Sequence, residues 1–163
     1  MNVFALDPGA TCAGVAWFVD ARLRVAKCII GSDWKDTADH VRDFVLENLL
    51  VMQTAFVFER MQVYREQFLK GDPNDLITLM LMAGRVSSLA WTSVHEIFPR
   101  QWKGQQPKNI SEQNVKNALH SDEFSCIELP TRRGLQHNVW DAIGIGLFHT
   151  RKERRQQQQD LRG

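Results

Sequence analysis

No apolar run in this 163-residue chain approaches the roughly 18 residues that a membrane-spanning helix needs, so no transmembrane segment is expected. The first residues lack the basic stretch, apolar core and small-residue cleavage site of a secretory leader, which makes an intracellular, cytoplasmic protein the expectation. Cysteine is scarce: Cys12, Cys28 and Cys126 are odd in number and widely spaced, with no C-x-x-C pair. That argues against a disulfide framework or a thiolate zinc site and leaves them as small buried hydrophobes. An excess of one charge is also missing, since 20 Lys and Arg against 19 Asp and Glu leave +1. No repeat and no linker interrupts the chain. A single domain over residues 1–155 follows, with a disordered polar tail over 156–163.

The near-neutral sum hides a polarised distribution. Acids collect at Asp33, Asp36, Asp39, Asp43 and Glu47. The segment 98–108 holds Arg100, Trp102, Lys103 and Lys108 and no acid, while 131–155 is rich in arginine, including Arg132 and Arg133. A molecule with one basic side suits a polyanionic partner.

Periodicity sets the elements. Val3–Asp7, Gly14–Val19 and Leu23–Ile30 read as three successive strands, with Pro8-Gly9 as a tight turn. Asp36-Thr37 opens a helix through about Met52, with apolar positions at Ala38, Val41, Phe44, Val45 and Leu49. Ala55–Glu59 is a short buried strand ending in an acid. Asp72-Pro73-Asn74 starts a helix to about Thr92, and Val94–Phe98 is a fifth strand. A helix capped at Asn109 and one starting near His137 complete the order. Three antiparallel strands followed by alternating helices and strands imply an α/β fold, a five-stranded mixed sheet flanked by helices.

Acids stand at three element ends: Asp7 after the first strand, Glu59 after the fourth, and Asp141 with His137 on the first turns of the last helix. If the fourth strand pairs with the first, Asp7 and Glu59 share one end of the sheet. His137 and Asp141, four residues apart, share one helical face. Carboxylates converging this way repel one another and call for cations, and hard oxygen donors select Mg²⁺ or Mn²⁺. Two such ions could stabilise the attacking and leaving oxygens of a phosphoryl displacement.

Asp7 in Leu-Asp-Pro-Gly, Glu59 after an apolar strand and a late His-x-x-x-Asp-Ala together resemble the ribonuclease H-like superfamily. Within it, the chain is most similar to the RuvC-type Holliday-junction resolvases, phage-encoded versions in particular, over residues 2–150. The resemblance implies an Mg²⁺-dependent endonuclease with two metals per site, held by Asp7, Glu59 and Asp141, that leaves 5′-phosphate and 3′-hydroxyl ends. His137 fills the remaining ligand position. Bacterial members separate the last two ligands by three residues, a spacing that Asn138 matches. His137 is favoured over Asn138 because imidazole can ligate a metal or act on water. Family members also carry an aromatic soon after the strand-four glutamate, which Tyr64 resembles in the run Arg60, Met61, Gln62, Val63, Tyr64, with Phe68 beyond. Expected DNA contacts are therefore Arg60, Gln62, Tyr64, Arg100, Trp102, Lys103, Lys108, Arg132 and Arg133. A homodimer, with the helix at 74–92 in its interface, matches the symmetry of a four-way junction. The other readings are a ribonuclease H-like nuclease acting on flaps, other branched DNA or RNA, and a non-catalytic junction-binding protein.

Overall fold

The computed structural model describes residues 2–49, 51–62 and 72–160. Six strands form one mixed sheet: β1 (Asn2–Asp7), β2 (Cys12–Val19), β3 (Arg22–Ile30), β4 (Thr54–Glu59), β5 (Ser93–Ile97) and β6 (Ile127–Glu128), in the order β5-β4-β1-β2-β3-β6. β1, β2 and β3 run antiparallel as a meander, whereas β1–β4, β4–β5 and β3–β6 are parallel. The sheet thus has one strand more than the sequence predicts. β6 pairs only Ala26 with Ile127 and Lys27 with Glu128, and two residues are too few to show a period of two.

Helices cover both faces, which explains why the central strands read as continuous apolar runs. On one face, Phe4, Leu6, Phe56 and Phe58 pack against α1 (Trp34–Asn48) and α2 (Pro73–Ser87). On the other, Val3, Ala5, Ala55 and Val57 pack against the long α5 (Gln136–Asp160). Two short segments complete this second layer, α3 (Pro99–Trp102) and α4 (Lys108–Ala118).

Several boundaries differ from the sequence reading for local reasons. α1 begins two residues early because Asp33 caps it, its carboxylate accepting from the Lys35 and Asp36 amides at 2.8 and 2.9 Å. α2 stops at Ser87, and Trp91 turns back to stack on Phe56 and Phe4 at 5.0 and 5.6 Å between centroids. Its methionine-bearing face is core, with Met82 and Ala83 buried. α4 starts at Lys108 after Pro107 with no side-chain cap, so Asn109 does not play the expected role. Helix geometry persists in α5 to Asp160, five residues past Arg155, where the domain was expected to end. All three cysteines are free thiols, Cys12 buried and the others half-buried.

Candidate active site

Strand parity aims the first two acids. Val3, Ala5 and Asp7 alternate onto the α5 face of β1, and Ala55, Val57 and Glu59 onto the same face of β4. Leu6 pairs with Phe58, so Asp7 and Glu59 stand one register step further along adjacent parallel strands. Glu59 is 8% exposed. An exposed residue after a strand, its plainest alternative role, does not apply.

The third acid arrives because a glycine lets α5 come close. A β-carbon at Gly14 of β2 would overlap the Asn138 carbonyl, so the start of α5 lies directly on the sheet. The Asn138 amide fixes that approach by donating to the Cys12 carbonyl at 2.9 Å. One helical turn on, Asp141 faces the strand ends. Asp7, Glu59, His137, Asn138 and Asp141 line one cleft of ≈ 380 Å³, together with Lys103, Lys108, Gln106 and Ser111 and an apolar rim of Pro8, Met61 and Leu79.

Charge in this cleft is unevenly matched. Burial first, and then the carboxylates of Asp141 and Glu59, push Asp7 well above the usual carboxylate range, against the pull of Lys103 and Lys108. Burial lowers the His137 imidazole below its ordinary value, with Lys108 adding to the effect, which favours a neutral ring. Lys103 sits among the acids: its Nζ lies 3.0 Å from Glu59 Oε2 and 3.7 Å from Asp141 Oδ2. Burial disfavours its charge, yet Glu59 and then Asp141 outweigh burial and hold the ammonium above its ordinary value. Glu59 also accepts a 2.7 Å hydrogen bond from Trp102 Nε1. Trp102 reaches it because Gly144 of α5 has no side chain where the indole packs.

Two of the expected DNA contacts also touch the acids. Trp102 and Lys103 face the acids, through contacts that span 43 and 44 residues of sequence. Local pattern carries no signal for pairs so far apart. Arg60 is exposed, pairs with Glu96 at 3.0 Å and covers the Phe98 ring. Lys108 lines the cleft, Gln62 is half-buried, and Arg100, Arg132 and Arg133 are exposed. Tyr64 and Phe68 lie outside the described residues. Gln106 and buried Ser111 also line the cleft, and nothing in the local pattern singles them out.

The donor set suits a hard divalent cation. Three carboxylates converge, one of them disfavoured as an anion, and an imidazole whose neutral form is favoured adjoins them. Among the described residues, however, no three acidic, histidine or cysteine side chains stand at metal-holding distances. The ammonium of Lys103 lies between Glu59 and Asp141, and an ion would have to share that space with it or displace it.

No protein-family model matches the chain, and no curated sequence is significantly similar. Solved structures are. Thermus thermophilus RuvC in complex with a Holliday-junction substrate aligns with 94% of this chain and 96% of its own, at 22% identity and a TM-score of 0.67. A second Thermus thermophilus RuvC structure matches at 19% identity and a TM-score of 0.56, over the same shares of both chains. The yeast mitochondrial Holliday-junction resolvase Ydc2 matches at 11% identity and 0.53, over 91% of this chain and 78% of that one. At these identities the likeness is one of fold, and the fold is the ribonuclease H-like fold of RuvC.

Proposed function

We propose that the protein is an Mg²⁺-dependent endonuclease that resolves four-way DNA junctions, working in the cytoplasm of a bacterium or phage-infected cell. The observation that carries this reading is the convergence of Asp7, Glu59 and Asp141 in one cleft, in a fold shared with a protein solved on a Holliday junction. Asp7, Glu59 and Asp141, with His137, would hold two Mg²⁺ ions, and Mn²⁺ would serve in their place. Bound there, such ions supply a nucleophilic water and Lewis-acid stabilisation of the attacking and leaving oxygens, giving 5′-phosphate and 3′-hydroxyl ends.

The chain's own residues prepare the cleft for a phosphodiester. Trp102 fixes the Glu59 carboxylate from behind, leaving its orientation little freedom. Lys103 and Lys108 bring positive charge to where a phosphate must approach three acids. His137, with its ring kept neutral, can ligate a metal or accept a proton from water. The Asn138 amide nitrogen donates to the Cys12 carbonyl and anchors α5, while imidazole is the better metal ligand and proton acceptor, which favours His137 for the fourth position.

Two sites are needed to cut a junction symmetrically, and α2 offers a surface for a second copy. Ile77 and Leu81, four residues apart on α2, are 57% and 51% exposed, a stripe that a twofold partner would cover.

Cleavage of a labelled four-way junction, a flap, a duplex and an RNA–DNA hybrid in Mg²⁺ tests the proposal. The wild type should cut the junction preferentially into ligatable products. Asp7→Asn should bind the junction with unchanged affinity and not cut it. Normal cleavage by Asp7→Asn would refute the metal site. Preferential cutting of flaps or hybrids would reassign the substrate, and binding without cleavage in either Mg²⁺ or Mn²⁺ would leave a non-catalytic junction binder.

A further inference from the structure

A second cavity, ≈ 450 Å³, lies between α4 and α5 beside the acid-lined cleft, and Gln106 and Ser111 line both. Its floor is aromatic and aliphatic, with Trp102, Val115, Leu147 and Phe148, while Arg151 and Lys152 stand at its far end. Among the described residues no carboxylate belongs to its lining, although the chain as a whole carries nearly as many acids as bases. Arg151 is ten residues beyond Asp141, about 15 Å along the helix axis at 1.5 Å per residue. Lys103 and Lys108 mark the cleft end of the trough. Cations therefore bracket an uncharged, partly aromatic channel that begins at the catalytic acids.

The polar groups of this channel match a nucleobase. Asn114 Nδ2 donates to Gln106 Oε1 at 2.9 Å. That bond aligns the two amides and leaves the Gln106 NH₂ and the Asn114 carbonyl as an adjacent donor and acceptor, the combination a base edge requires. An apolar protein segment would have no use for the amides or the paired cations. A small free anion would have no use for the aromatic floor. Nucleotides use all three, and the volume is in the range of small-molecule sites.

We propose that this groove seats a nucleotide of the cleaved strand next to the scissile phosphate, its base on the Trp102–Phe148 floor and its phosphate toward Arg151 and Lys152. The inference rests on the nuclease reading of the neighbouring cleft, and it adds to that reading a site for base selection. Trp102 belongs to both places: its ring forms part of the groove wall while its Nε1 holds Glu59. A seated base would thereby bear on the side chain that orients a catalytic acid.

Three measurements on the full chain test this, with the junction as probe. Ala118→Trp, at a half-buried position of the groove lining, should fill the space. In the absence of divalent metal it should weaken junction binding about tenfold, the scale of losing one stacked base. Its Mn²⁺ binding without DNA should stay as in the wild type. Arg151→Glu with Lys152→Glu changes only exposed side chains, so folding is not at risk, and it should weaken junction binding by a similar factor. A photo-crosslinking amino acid at Asn114 should label the junction within about four nucleotides of the cleaved bond. Wild-type junction affinity in both variants, or crosslinks confined to distant parts of the arms, would overturn the groove assignment. Inability of the wild type to cut any substrate would instead overturn the nuclease reading, and the binding results for the two variants would still judge the groove.

Discussion

The two buried glutamates of the described structure, Glu59 and Glu123, differ in what satisfies their oxygens. Glu123, 3% exposed, lies in the turn before β6. One of its oxygens accepts from the Leu23 amide at 2.6 Å and the other from the His120 amide at 2.7 Å, with Arg22 3.6 Å away. Backbone donors use both ends of that carboxylate, and it ties the turn to β3. Among the described residues Glu59 is held by two side chains, Trp102 and Lys103, and it faces two further acids across a cleft. Burial therefore does not separate the two. Glu123 is satisfied by fixed backbone, whereas Glu59 keeps company that a ligand could displace.

The sharpest way to break this comparison is to neutralise each glutamate in turn. Glu59→Gln should lower junction cleavage by about 10²–10³-fold or more, as loss of a group that stabilises reacting charge does, without unfolding the protein. Glu123→Gln should leave cleavage per folded molecule nearly unchanged. It should lower stability by about 1–3 kcal/mol, because an amide can accept from only one of the two backbone N–H groups and leaves the other unsatisfied. Cleavage rates combined with denaturant melts give both answers, and a matching loss of activity in the two variants would erase the distinction.

His149 extends the contrast to a buried group with an atom left unbonded. Its Nε2 has no partner among the described residues, and its ring lies 4.5 Å from that of His95 between β5 and α5. Burial first, and then His95 and Lys152, push its pKa down to about 4, against the pull of Glu153. The unfolded chain then binds a proton that the folded one refuses between pH 6.5 and about 4, so stability falls as pH drops through that window. The loss should total roughly 3 kcal/mol. His149→Phe should flatten the melting temperature across this range; an unchanged pH profile would show that the imidazole is not buried in its neutral form.

Asp7 should behave oppositely. Its pKa is raised on folding, so the folded protein holds a proton that the unfolded chain releases above the ordinary carboxylate range. Stability is then greatest at low pH and is lost as pH rises toward neutrality. In metal-free buffer at pH 7, Asp7→Asn should be more stable than wild type and melt at a higher temperature, because it removes a buried carboxylate that folding disfavours as an anion. The gain should vanish in acid and shrink when Mg²⁺ is added to the wild type. A less stable Asp7→Asn would mean that the carboxylate is a structural partner after all, like Glu123. The smallest effect is expected at the cleft rim, where Lys108→Ala should reduce the salt dependence of junction binding by about one phosphate contact.

Much of the α/β architecture was legible because apolar spacing reports which side of a strand or helix is covered. β1, β4 and the first turns of α5 announced themselves this way, and with them Asp7, Glu59 and Asp141 at element ends. β6 left no trace, since two residues have no period, and α3 was hidden inside what reads as a basic loop. Lys103 shows what else local pattern leaves out. Its position in an acid-free segment suggests phosphate contact, while its neighbours Glu59 and Asp141 are decided by where α3 lands.

By itself, then, the sequence determined which acids stand at element ends and which face of each element is buried, because both follow from local pattern and side-chain type. Tertiary structure alone decided how those residues meet. Gly14 lets α5 lie on β2 and brings Asp141 to the strand ends, and Gly144 admits the Trp102 ring that holds Glu59. Such close approaches depend on shape across distant segments, and no local periodicity records them.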